Sequence, residues 1–154
     1  MNIQLLPVTE SDIKVIWAMQ VESFAELLEK YQDYETNPAA ESCERIRQRF
    51  EQPFTHYYFI MADNEIVGFV RIVDKKDGSK KRISPIGILP KYRNKGFAQA
   101  AIKAAEQIHG ADKWSLDTII TEQANCYLYE KMGYHKTGKT EKINDKLTLV
   151  FYEK

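Results

Sequence analysis

Apolar positions along the chain change spacing in a way that predicts alternating strands and helices. Residues 3–8 read as a first strand. Thr9 and Asp12 then look like an N-cap with an acidic first turn, and Ile13, Ile16, Trp17, Phe24, Leu27, Leu28 and Tyr31 recur at helical spacing. Lys14, Glu22, Glu26, Glu29 and Lys30 fill the remaining positions, so this helix should bury one face. Asn37-Pro38, a cap followed by proline, predicts a second helix running to Phe50 with Ile46 and Phe50 inward. Residues 57–61 and 66–73 are rich in β-branched and aromatic side chains and are joined through Asp63-Asn64-Glu65, which predicts an antiparallel hairpin.

Residues 74–78 make the next turn, and an apolar run over 83–89 predicts a fourth strand that breaks at Pro90. A short basic loop, 91–95, leads to Gly96, which opens an Ala-rich helix ending at Gly110. Residues 113–120 have strand composition, 122–132 read as a short helix closed by Gly133, and 134–140 with 147–152 form a last hairpin around Asn144-Asp145. The strand–helix–strand passage from 83 to 120 is a β-α-β unit, which places two parallel strands side by side with a right-handed crossover. At 154 residues, with 44% hydrophobic and 12% aromatic content, the chain is expected to form one domain, 1–154, around one core.

The passage from strand to helix is also where chemistry gathers. A helix start carries unpaired N–H groups and the positive end of the macrodipole, so it can hold a phosphate; Arg93 and Lys95 add charge there, and Gly96 lets the backbone come close. Arg93-Asn94-Lys95-Gly96-Phe97-Ala98, introduced by Ile88-Leu89-Pro90-Lys91-Tyr92, resembles the Arg/Gln-x-x-Gly-x-Gly/Ala pyrophosphate loop of the GCN5-related N-acetyltransferases, the GNAT family. Leu128-Tyr129-Glu130-Lys131-Met132-Gly133-Tyr134 is similar to that family's Tyr-Glu-Lys-x-Gly-Phe/Tyr segment, and the order of elements matches over nearly the whole chain.

The resemblance implies an α/β fold of the GNAT type: a mixed, mostly antiparallel sheet with a central β-α-β unit and helices on both faces. It implies acetyl-coenzyme A as co-substrate, held by Arg93, Asn94, Lys95, Gly96, Phe97 and Ala98. Backbone groups of Ile86 and Ile88 would bond the pantetheine arm and thioester oxygen where the fourth strand splays from the fifth, a disruption that Pro85 and Gly87 make plausible. Tyr129 would hand a proton to the departing thiolate. Many members carry an asparagine seven positions before this tyrosine, but Glu122 stands there, so the pantetheine contact passes to Asn125, one turn before Tyr129. Glu22, Glu26, Asp33 and Glu35 are alternatives for the general base. The acceptor is expected to be a small-molecule primary amine; a non-catalytic acyl-coenzyme A sensor or assembly module is the other reading.

Composition sets limits on partners. Twenty-two basic against 22 acidic residues give no overall field toward nucleic acid or an anionic membrane, and the lysines at 75, 76, 80 and 81 with Arg82 sit at an interrupted hairpin tip. No apolar signal or membrane-length run is present, so a cytoplasmic protein is expected. Cys43 and Cys126 are isolated, and His56, His109 and His135 lack metal-ligand spacing, so no metal is expected. The edge of the last hairpin could pair with a second copy, and a homodimer fits the resemblance.

Overall fold

The structure, a computed structural model, describes residues 2–154. Seven strands form one sheet in the order β1-β2-β3-β4-β5-β7-β6: β1 (Ile3–Pro7), β2 (Thr55–Ala62), β3 (Glu65–Val73), β4 (Lys81–Ile88), β5 (Trp114–Ile119), β6 (His135–Asn144) and β7 (Leu147–Glu153). Every neighbouring pair is antiparallel except β4 with β5, the two strands joined through a helix. Helices α1 (Ile13–Tyr31), α2 (Cys43–Phe50), α3 (Phe97–His109) and α4 (Gln123–Lys131) cover both faces. Ile13, Ile16, Met19 and Ile46 pack from α1 and α2 onto Tyr57, Phe59 and Phe69. Ala101, Ile102 and Ala105 of α3 and Tyr129 of α4 pack on the other face against Ile60, Ile72, Trp114 and Leu116. The alternation of β strands thus feeds two cores, and the α/β architecture predicted from sequence is present.

Three local expectations need correction. The second helix does not run unbroken from Asn37. Asn37 caps only a 3-10 turn, Pro38–Ala40, with Ala39 N–H on its Oδ1 at 2.7 Å. Glu41 and Ser42 are extended, and Ser42 caps α2 afresh by accepting from Arg45 N–H at 3.1 Å. Trp17 does not join the buried face of α1; it stays 38% exposed because its indole N–H reaches outward to the Glu41 carbonyl at 3.0 Å. Its place inside is taken by Gln20, fully buried, whose amide nitrogen bonds the Pro38 carbonyl at 2.8 Å. Finally, β6 is longer than predicted and runs to Asn144, so the last turn lies at Asp145 and Lys146. No helix among the described residues is long and apolar enough to cross a membrane.

Candidate active site

The site arises from an interrupted ladder. Strands β4 and β5 pair only at Lys81 with Trp114 and Arg82 with Ser115, and beyond those rungs they part. Two local causes are visible. Between Ile83 and Ile86 the register of β4 against β3 slips, so Ser84 and Pro85 form a bulge, and Pro85 has no N–H to offer a neighbour. Meanwhile β5 is held on its far side by five rungs to β7, from Ser115 to Ile119, and cannot follow β4. An ion pair between Arg82 and Asp117 stands at the fork.

The strand ends lean apart over a cleft of about 540 Å3. Just past the end of β4, Leu89 N–H bonds the Val67 carbonyl at 2.9 Å, so Leu89 and Gly87 turn their backbone groups toward β3. By the same alternation Ile86 and Ile88 turn theirs away, into the side that β5 has vacated. Close packing fixes this geometry. A methyl group on Gly68 would lie 2.2 Å from the Gly87 carbonyl oxygen, and one on Gly87 would lie 2.6 Å from the Phe69 ring and 3.1 Å from Ser23 Cβ of α1.

At the mouth of the cleft α3 begins. Gly96, at φ 81°, occupies the left-handed region and supplies no capping side chain. Its carbonyl accepts Ala100 N–H at 3.1 Å, which leaves the N–H groups of Phe97, Ala98 and Gln99 without an intrahelical acceptor, and Phe97, Ala98 and Gln99 line the cleft. A phosphate fits such a start on charge and donor count alone. Arg93 is placed differently from a simple phosphate ligand. It donates to the Ile88 carbonyl at 3.2 Å, to the Ser23 carbonyl at 2.6 Å and to Glu26 at 3.4 Å, fastening the loop to β4 and α1. Asn94 lines the cleft at φ 63°, whereas Lys95 lies outside its lining with Nζ 6.0 Å from the Tyr92 ring.

Tyr129 and Asn125 of α4 reach the cleft from the β5 side. Tyr129 is 8% exposed, and its Oη makes no hydrogen bond to a described residue. Burial, with the Asp117 carboxylate next, pushes its phenol well above the ordinary tyrosine value, so it stays protonated. Thus Ile86, Ile88, Arg93, Asn94, Gly96, Phe97, Ala98, Asn125 and Tyr129 are brought to one cavity, and Lys95 alone of the sequence-predicted set is not.

The far wall is acidic. Of the four carboxylates proposed as base, Glu26 and Asp33 line the cleft, while Glu22 and Glu35 are exposed elsewhere. Asp33, 3% exposed, accepts the N–H groups of Glu35 at 3.0 Å and Thr36 at 2.9 Å. Sequence reasoning missed Asp117 and undervalued Glu122, both in the lining. A charged residue inside the apolar run of β5 was the available signal for Asp117. Glu122 accepts from Lys30 at 2.8 Å and from Tyr31 Oη at 2.5 Å, and Thr121 donates to Tyr31 in turn at 2.7 Å. Burial pushes the Glu122 carboxyl up, but the Lys30 and Tyr31 bonds outweigh it and hold it below the ordinary range. Among the described residues no three His, Cys, Asp or Glu side chains gather as a metal site.

Comparison with known proteins agrees with this geometry. A spermidine N-acetyltransferase from Vibrio cholerae, solved with CoA and spermine, superposes with TM-score 0.76 at 18% identity, covering 97% of this chain and 93% of that one. A GNAT acetyltransferase from Elizabethkingia anophelis with acetyl-CoA bound gives 0.69 at 18% identity, over 98% and 96% of the two chains. The ribosomal-protein-S18-alanine N-acetyltransferase of Escherichia coli gives 0.71 at 12% identity, over 98% and 92%. No curated protein sequence matches. The model of the acetyltransferase (GNAT) family matches residues 21–134, most of the chain. On that match, and with the fold in agreement, the chain belongs to the acetyltransferase (GNAT) family.

Proposed function

We propose that this protein acts as a single-domain N-acetyltransferase that moves the acetyl group of acetyl-CoA directly to the primary amine of a small molecule. The observation that carries this reading is the parted end of β4 and β5, where unpaired backbone groups, a free helix start and the unpartnered Tyr129 hydroxyl share one cavity. When bound, the donor supplies an activated thioester carbon and a thiolate leaving group.

The chain's own groups are assigned as follows. The amides of Phe97, Ala98 and Gln99 at the start of α3, with Asn94, hold the pyrophosphate, and Arg93 sets their position by tying the loop to Ile88 and Ser23. Ile86 and Ile88 present backbone groups to the pantetheine and the carbonyl oxygen, supplying a fixed dipole where negative charge grows. Asn125 adds a side-chain contact from α4. Tyr129, whose Oη faces the cleft without a partner, donates its proton to the leaving group; burial makes the phenol a weaker acid, so the transfer is driven by the negative charge that grows on the sulfur as its bond to the acetyl carbon breaks.

The acceptor enters from the side of Glu26, Asp33, Asp117 and Glu122. Glu26, Asp117 and Glu122 are already ion-paired with Arg93, Arg82 and Lys30, so Asp33 is the carboxylate left to draw an ammonium ion, and Glu26 and Asp33 are the base candidates that line the cleft. Calorimetric titration with acetyl-CoA tests the donor site: micromolar binding that Gly96→Glu abolishes is expected, followed by thiol release with a panel of amines. Binding without any thiol release would shift the reading to a non-catalytic acyl-CoA-binding module, and absence of binding would end both.

A further inference from the structure

A second cavity, of about 460 Å3, opens at the opposite end of the sheet, where the first residues of β4 and β5, the β3–β4 loop and the last turn of α3 meet. It shares no lining residue with the donor cleft. Its floor is a fixed hydrogen-bond chain. His109, with its side chain 5% exposed, lies 2.8 Å through Nδ1 from Asp74 Oδ2 and 2.8 Å through Nε2 from Tyr58 Oη. The carboxylate can only accept, so Nδ1 carries the proton, and in the neutral ring Nε2 receives the Tyr58 O–H. Both nitrogens of His109 are therefore occupied.

His56 is the group that remains. Its ring centre is 5.0 Å from that of His109, and its Nε2 is buried with no partner. A buried ring nitrogen without a partner is unfavourable. Burial first, then the neighbouring His109, pushes the His56 imidazole below its ordinary pKa, so it is neutral at pH 7 and adds no charge of its own. Around this floor stand Lys76, Lys81 and Lys113, with Ser79 beside them. Lys81 commits one donor to the Asp112 carbonyl at 2.8 Å and keeps two. Set against the single lining carboxylate, Asp74, the three ammonium groups leave an excess of two positive charges in a concave, partly dry space.

We infer that this cavity is a ligand site separate from the donor cleft, which takes a small dianionic oxyanion paired by Lys76, Lys81 and Lys113 above the floor of His56 and His109. The same chemistry is offered by a phosphate-type group and by a dicarboxylate. Both would balance the excess positive charge.

The protein contains three histidines, His56, His109 and His135, which makes ring-proton NMR a direct reading. His135 lies on β6 with its side chain 68% exposed and serves as the internal reference. Sulfate and malonate are titrated separately at pH 7, with sodium chloride at matched ionic strength as the third arm. The His56 and His109 signals should shift and saturate with one dianion while His135 stays still, and the dianion that saturates identifies the source. Lys113→Glu, an exposed rim change away from the cleft, should weaken that binding by roughly tenfold or more while acetyl-CoA titration is unchanged. Equal shifts in sodium chloride, a matching movement of His135, or full affinity in Lys113→Glu would each overturn the assignment.

Discussion

Replacing Tyr129 with phenylalanine separates packing from proton donation. The ring is 8% exposed and packs 6.1 Å from the Tyr134 ring and 6.3 Å from the Tyr152 ring, contacts that phenylalanine keeps. The lost oxygen has no hydrogen-bond partner among the described residues, so the folded state gives up no bond. Stability should therefore change by less than ~1 kcal/mol, about 2–4 °C in Tm. Turnover is a different matter. A positioned general acid contributes on the order of 100-fold or more, about 2.7 kcal/mol of barrier, and that loss should fall on kcat while the Kd for acetyl-CoA holds. Tyr134→Phe is the matched control, because its Oη is also buried without a partner and burial raises its phenol too, yet it is outside the cleft. Thiol release against the best amine gives kcat, and thermal unfolding of both variants gives stability. A Tyr129→Phe enzyme within about twofold of wild type, or equal rate losses in both variants, would refute the proton-donor role.

Two further outcomes follow from the packing and the phenols. Gly68→Ala puts a methyl 2.2 Å from the Gly87 carbonyl and 3.1 Å from Ile88 Cα, so β3 and β4 must move apart; a loss of ~2–3 kcal/mol and roughly 4–10 °C in Tm is expected. Gly78→Ala, which meets nothing within 4 Å and carries only the strain of φ 86°, should lose about 1 kcal/mol, and equal melting of the two variants would contradict the steric account. Burial raises the phenols of Tyr129, Tyr134 and Tyr152 above the unfolded value of about 10. The folded state then holds protons that the unfolded chain releases, so stability is intact below about pH 10 and falls above it by ~1.4 kcal/mol per pH unit for each phenol. Urea midpoints measured across that range should fall, less steeply in Tyr129→Phe, and a flat profile would contradict the burial.

Much of this fold was legible because its signals are local. The hairpin of β2 and β3, the stop of α3 at Gly110 and that of α4 at Gly133 each rest on a period or a turn residue within a few positions. The break at residues 41–42 was missed for an equally physical reason: Asn37-Pro38 is a good start, and nothing nearby announces that Ser42 will cap again. The two sequence motifs, one a loop and one a helix end, led to the cleft, and nine of the predicted positions line it. What the sequence could not show is long-range. The fork between β4 and β5 depends on β7, whose rungs pair with β5 across 30 to 38 residues of chain, holding β5 in place. Arg93 looked like a phosphate ligand, but its bonds to Ile88 and Ser23 require α1, some seventy residues earlier in the chain, to lie beside the loop.

The open ladder between β4 and β5 has a thermodynamic consequence. An extended ligand that pairs with the free edge of β4 behaves as a missing strand, so its binding energy is also folding energy for that seam. At a concentration near 100 times its Kd, such a ligand adds about 2.7 kcal/mol to the stability of the native state. Starvation for the donor would leave the same chain measurably easier to unfold and to degrade, and the amount of protein in a cell would track the supply of its own substrate.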